Sequence, residues 1–237
     1  AVLMDDELVH REHLSPNCDE RQLPVSMVVL HYTGMPTAAE AEARLCDAEC
    51  KVSAHYLIDE DGEVVRLVPE NKRAWHAGRS YWRGITDVNS ASVGIELVNP
   101  GHEWGYRPFP EAQIDALLPL LARIVATNGI APGNVVGHSD VAPARKEDPG
   151  ELFPWERLAE VGLALPVPKP RIQLIYDNDS AFFLALERFG YDVSDGHAAI
   201  RAFQRRWRPR KLDGELDGEI GALLFELLLE RDLGRTT

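Results

Sequence analysis

The stretch SVGIELV, residues 92–98, is apolar at most positions and carries one charge, Glu96. A short run of this kind reads as a strand buried on both faces, which places it centrally in a sheet. Working outward, MVVLHYTG (27–34) gives a second buried strand over 26–31. AHYLID (54–59) and EVVRLV (63–68) flank Asp61-Gly62, a strong hairpin signal. NVVGH (134–138) supplies a last short strand. Helical signals lie between these runs. TAAEAEARLCDAE (37–49) opens with Thr37 and Glu40, the spacing of a capping box in which each side chain satisfies a free amide. Ile114, Leu117, Leu118, Leu121, Ile124 and Val125 follow helical spacing from Pro110 to a stop at Gly129, with a kink expected at Pro119. Strands alternating with helices predict an α/β fold with a central mixed sheet flanked by helices.

ALPVPKPRI (164–172) carries Pro166, Pro168 and Pro170, and alternating prolines favour extended, semi-rigid backbone. The expected division is a first domain over 1–165, a linker over 166–172 and a small three-helix domain over 173–237. Three apolar stripes support the last: Phe182, Phe183, Leu186 and Phe189; Ile200, Phe203 and Trp207 after Asp195; Ile220, Leu223, Leu224, Leu227 and Leu228 after Asp217.

The chain of 237 residues is 45% hydrophobic and 27% charged, an ordinary globular composition. Its net charge of −13 falls mostly on residues 1–170 and argues against a nucleic-acid partner. No apolar run is long enough to span a membrane. The start, AVLMDDELVHREH, lacks the basic and apolar regions of a secretory signal, and Met4 fits a native start. The three cysteines, Cys18, Cys46 and Cys50, make no zinc pattern, and their odd number suits a reducing compartment. A cytoplasmic location is therefore expected, or a periplasmic one if the chain is a processed form. Oligomeric state is not legible.

Two histidines close apolar runs, His31 after Val28, Val29 and Leu30, and His138 after Val135, Val136 and Gly137. Asp148 follows in RKEDPG. Two imidazoles and a carboxylate suit one zinc ion and leave a position open for water. Glu96 is the candidate for moving a proton, and Lys146 for steadying an oxyanion. The same three ligands would also suit iron(II) in an oxygenase.

LHYTG, AHYLID-EDGEV, AWHAG, NSASVGIELVN, VVGHSDVAPARKEDPG and LFPW occur in that order. Together, over roughly residues 14–165, they resemble the type-2 zinc N-acetylmuramoyl-L-alanine amidases. The nearest branch is that of the Gram-negative muropeptide-recycling enzymes, which carry SPN (here 15–17) before the first strand. The resemblance implies metal ligands at His31, His138 and Asp148, an acidic catalytic residue at Glu96 and a catalytic lysine at Lys146. It implies one zinc ion as cofactor and peptidoglycan fragments as partners. Tyr56 matches a tyrosine that approaches the site in some members, or packs in the sheet. Trp75, His76, Trp82, Arg83 and Asn89 match the substrate groove, although Trp75 would also serve in a core. The tail resembles a peptidoglycan-binding module through AAIRAFQRRWRP, with Asp213-Gly214 and Asp217-Gly218 only approximating its glycine-rich turn. Its basic residues Arg201, Arg205, Arg206, Arg208, Arg210 and Lys211 have three faces open to them: anionic peptide stems, the acidic first part, or solvent. The expected activity is hydrolysis of the amide between N-acetylmuramic acid, anhydro or not, and L-alanine in wall recycling. The alternative is a module that binds muropeptides without cutting them.

Overall fold

The computed structural model describes residues 5–173, 176 and 178–233. Residues 1–4, with the expected start at Met4, lie outside the described residues, as do 174, 175, 177 and 234–237. In chain order the elements are α1 (Asp5–Leu8), β1 (Arg11–Glu12), β2 (Cys18–Glu20), β3 (Met27–Tyr32), α2 (Ala38–Leu45), β4 (Tyr56–Ile58), β5 (Val64–Arg66) and β6 (Lys72–Ala74). They continue with α3 (Val88–Ala91), β7 (Ser92–Leu97), α4 (Gly101–Trp104), α5 (Glu111–Asn128), β8 (Val135–Gly137), α6 (His138–Val141) and α7 (Trp155–Glu160). The tail holds α8 (Asp179–Phe189), α9 (Gly196–Trp207) and α10 (Gly218–Leu233). Among the described residues no helix is long and apolar enough to cross a membrane.

Six strands form one mixed sheet in the order β1-β5-β4-β7-β3-β8, and β2 pairs with β6 separately. The run 92–98 is central as expected, with β7 parallel to both β3 and β4. The Asp61-Gly62 turn closes the antiparallel pair β4 and β5, with Gly62 at φ +92°. The edge strand β1 and the β2–β6 pair are short and polar, and no hydrophobic alternation marks them in the sequence.

Side chains alternate across a sheet, so each strand feeds two cores. Val28, Leu30, Tyr56, Ile58, Val93, Ile95 and Leu97 meet Ile114, Leu117, Leu121 and Ile124 of α5. Helix α5 runs through Pro119 as one element to Gly129, which adopts φ +63°. Thr37 caps α2 by accepting from the Glu40 amide, whereas the Glu40 carboxylate turns to the Thr37 hydroxyl rather than to a backbone amide. On the other face, Met27, Val29, Val136 and Val141 share a core with Phe182, Leu186, Phe203, Leu224 and other residues of the tail. The three tail helices are present as read, α9 capped by Asp195 and α10 by Asp217. Beyond the proline stretch, they pack against the sheet's second face.

Leu121 is fully buried between α5 and the sheet. Leu121→Ala is expected to cost about 2–5 kcal/mol, read as a lower urea midpoint at an unchanged slope.

Candidate metal centre and groove

Parallel strands end on the same side of a sheet, and three of them deliver the site. His31 and Glu96 are direct neighbours in the β3–β7 register, so their side chains leave the same face. His138 is the first residue after β8, which pairs with β3 on its other side. Asp148 comes from the following loop, whose path is fixed by a 2.9 Å bond from the Ser139 amide to the Asp148 carbonyl. Among the described residues these three side chains form a buried group able to hold a metal ion.

The hydrogen-bond network assigns the tautomers. The Ser92 hydroxyl donates to the Val88 carbonyl at 2.5 Å, so its oxygen accepts from His76 Nε2 at 3.0 Å. His76 Nδ1 is then an acceptor and takes the proton of His31 Nε2 at 2.9 Å. That leaves a lone pair on His31 Nδ1. His138 Nε2 donates to the Ala77 carbonyl at 3.0 Å, which leaves a lone pair on its Nδ1 as well. The two Nδ1 atoms lie 3.0 Å apart, and Asp148 Oδ2 lies 3.1 and 3.2 Å from them. Three acceptors thus face one another without a proton to share, which is a cradle for a cation. Bonds of about 2.0 Å to a tetrahedral zinc would space such ligands about 3.3 Å apart, so the triangle fits. Burial, then the neighbouring His138, bring the His31 pKa down to about 4, which keeps its imidazole neutral as a ligand must be.

Glu96 stands beside this cradle. Its Oε1 is 4.0 Å from His31 Nδ1, and its Oε2 is buried without a hydrogen-bond partner. Burial, then the nearby Asp148, push its pKa well above the usual carboxylate range, and Lys146 opposes them. Lys146 is exposed and lines the same groove. The groove encloses about 410 Å³, a size suited to a small-molecule ligand. Its wall includes Tyr32, Thr33, Met35, Arg44, Trp75, His102, Glu103, Arg145 and Glu147.

The expected groove residues divide. Trp75 is half-buried and lines the groove. His76 also borders it, but both ring nitrogens are engaged inward, so it orients His31. Asn89 lies beneath: its Oδ1 accepts from the amides of His76 and Ala77 at 3.0 and 2.8 Å and fixes that segment. Tyr56 is not at the site. It pairs with Ile95, points to the α5 face and bonds Glu70. Trp82 and Arg83 are not there either. The Trp82 ring packs on Phe189 and Tyr191 of the tail, and the Arg83 amide donates to the Gly190 carbonyl. The SPN segment, read above as a marker of the branch, is structural: Ser15 and Asn17 tie it to the carbonyls of Leu45, Asp47 and Val52 behind the groove rim. Among residues the sequence reading left unremarked, Ser92, which completes the His76 relay, carried a signal: a hydroxyl opening an apolar strand. His102 carried less, since GHEW reads as a plain turn after the central strand.

The mixed sheet, the buried two-histidine, one-carboxylate cradle and the adjoining groove define a metallohydrolase. The chain matches the family described as N-acetylmuramoyl-L-alanine amidase over residues 21–151, and it belongs to that family of amide hydrolases. It is 39% identical over 233 residues to N-acetylmuramoyl-L-alanine amidase AmiD of Escherichia coli (strain K12), across 87% of this chain and 83% of the relative. The solved complex of that E. coli enzyme with anhydro-N-acetylmuramic acid-L-Ala-D-gamma-Glu-L-Lys aligns with a TM-score of 0.77 at 34% identity, over 91% of this chain and 98% of the other. AmpDh3 of Pseudomonas aeruginosa in complex with anhydromuramic pentapeptide aligns with a TM-score of 0.76 at 31% identity, over 87% and 92%.

A methyl group on Gly94 would fall 2.4 Å from the His76 ring, which is bonded at both nitrogens and has no room to retreat. Gly94→Ala is therefore expected to weaken metal retention at this cradle about 10–100-fold, as loss of a ligand's supporting partner does. Competition with a chelator measures this, and circular dichroism checks that the fold is kept.

Proposed function

We propose that this chain is a zinc amidase that cleaves the amide between the lactyl group of N-acetylmuramic acid and L-alanine in soluble, anhydro-type wall fragments. The observation that carries the reading is the set of three converging lone pairs on His31, His138 and Asp148, with the unpartnered Glu96 carboxylate 4.0 Å away in one groove. His31, His138 and Asp148 would hold the zinc, which when bound would supply Lewis acidity and lower the pKa of a water toward neutrality. Glu96 takes the proton of the attacking water and passes it to the leaving nitrogen of L-alanine. Lys146 holds a fixed positive charge against the carbonyl oxygen as it gains negative charge. The Trp75 indole offers an apolar wall for a sugar ring. The anhydro preference rests on the anhydromuramic ligands of the two aligned complexes. A role in wall recycling follows from that preference.

Incubation with an anhydro-muropeptide should release free peptide, detected by mass, and chelation should stop the release. Whole sacculi are expected to be the poorer substrate. Glu96→Gln should lower kcat about 10²–10⁴-fold with zinc content unchanged. Lys146→Met should cost about 10²–10³-fold, chiefly in kcat. No peptide release from the zinc-loaded chain, or full activity in Glu96→Gln, overturns the reading.

A further inference from the structure

Two of the three proposed metal ligands sit on one segment, 137–155, and the tail grips that segment at several points. Tyr191 follows α8 and is fully buried. Its hydroxyl donates to Asp140 Oδ1 at 2.6 Å. The other oxygen of that carboxylate accepts from the Gly137 amide at 2.8 Å. Asp140 is itself buried, so both its oxygens are committed and neither depends on solvent. Gly137 precedes His138, and Ser139 holds the Asp148 carbonyl. One carboxylate thus ties the tail to the turn from which both ligands are mounted.

A second, purely ionic contact lies on the far side of Asp148. Arg205 of α9 is buried, with its nitrogens 3.9 Å from Glu147 and 3.7 Å from Glu151, the acids flanking the ligand. Next to it, the Arg206 guanidinium lies between the rings of Trp155 and Trp207, 4.2 and 3.8 Å from their centroids. It also donates to the Leu165 carbonyl at 3.1 Å. Trp82 closes the contact by packing edge-on against Tyr191, with ring centroids 5.2 Å apart.

We infer that the tail positions the metal ligands His138 and Asp148, through Tyr191 acting on Asp140 and through Arg205 acting on Glu147 and Glu151. Tyr191 and Arg205 are positioning residues: neither touches the cradle, and each fixes the backbone that carries it. A ligand held by a rigid support keeps its geometry, and a loosened one lets the ion go. The tail is then part of the metal centre whatever else it binds. This inference rests on the proposed role of His31, His138 and Asp148 as metal ligands.

The test uses the full chain, with zinc retention measured by chelator competition at a temperature where every variant is folded. The absorption spectrum of the cobalt-substituted chain reports ligand geometry independently. Tyr191→Phe keeps the ring and removes only the hydroxyl. It should weaken zinc retention about tenfold or more and alter the cobalt spectrum. Leu227→Ala, buried in α10, which packs chiefly on α8 and α9, should lower the melting temperature and leave zinc retention at the wild-type value. Arg205→Met should also weaken retention, with Arg205→Lys restoring part of it. It stands in if Tyr191→Phe does not fold. Wild-type retention and spectrum in the folded Tyr191→Phe chain, or wild-type retention in Arg205→Met where that variant stands in, overturn the inference. Equal weakening by Leu227→Ala overturns it too, by showing a general stability effect. A wild-type chain that binds no zinc instead overturns the metal reading beneath it.

Discussion

Three electron-pair donors, buried and turned toward one another, set the terms for the rest of this molecule. His31 Nδ1, His138 Nδ1 and Asp148 Oδ2 lie 3.0–3.2 Å apart with their protons assigned elsewhere. Such a triangle repels itself unless a cation fills it, so the fold must hold it open against that repulsion. It does so with backbone. Two parallel strands set His31 on β3 and His138 just past the end of β8 beside each other, and the cross-bond from Ser139 to Asp148 brings in the third. The relay from His31 through His76 and Ser92 to the Val88 carbonyl then fixes which nitrogen faces inward. Second-layer partners of this kind set both the tautomer and the ring orientation of a metal-binding histidine.

That dependence explains why the centre was legible in the sequence while its surroundings were less so. His31, Glu96 and His138 each close or interrupt an apolar run, and a charge or imidazole in such a run demands a reason. Asp148 and Lys146 stand in the polar stretch RKEDPG, where each gains meaning only beside the two histidines. Tyr56 faces away from the groove for a geometric reason. In AHYLID both alternating sets are apolar enough to be buried, so the sequence does not tell which set faces the groove. Leu57, not Tyr56, pairs with Glu96, and one residue of register decides the face.

Trp82 and Arg83 show a different limit. An aromatic beside a cation suits a sugar-peptide groove, and it equally suits an interface. The stripe of Phe182, Leu186 and Phe189 reveals that the tail has an apolar side, but not that the same side continues onto the sheet. The basic run divides for the same reason. Arg205 and Arg206 are buried against the first part and Arg208 is buried on Asp217, whereas Arg210 and Lys211 stay exposed beside Glu219 and Asp213. The sequence marks these residues as basic; only the surface they meet says which are covered.

Glu96 brings the packing and the chemistry together. In the role proposed for Glu96, a carboxyl group that first takes and then gives a proton works best with a pKa near the working pH. Burial and Asp148 drive this one upward, and Lys146 draws it down. A divalent charge on the adjacent ligands acts in the same direction as Lys146. Were Glu96 paired with an arginine, as Glu70 is with Arg123, the carboxylate would be held in its charged form and would make a poor acid. The unpartnered oxygen suits the proposed role: no cation pins the carboxylate, and burial and the charge of Lys146 pull on it in opposite directions.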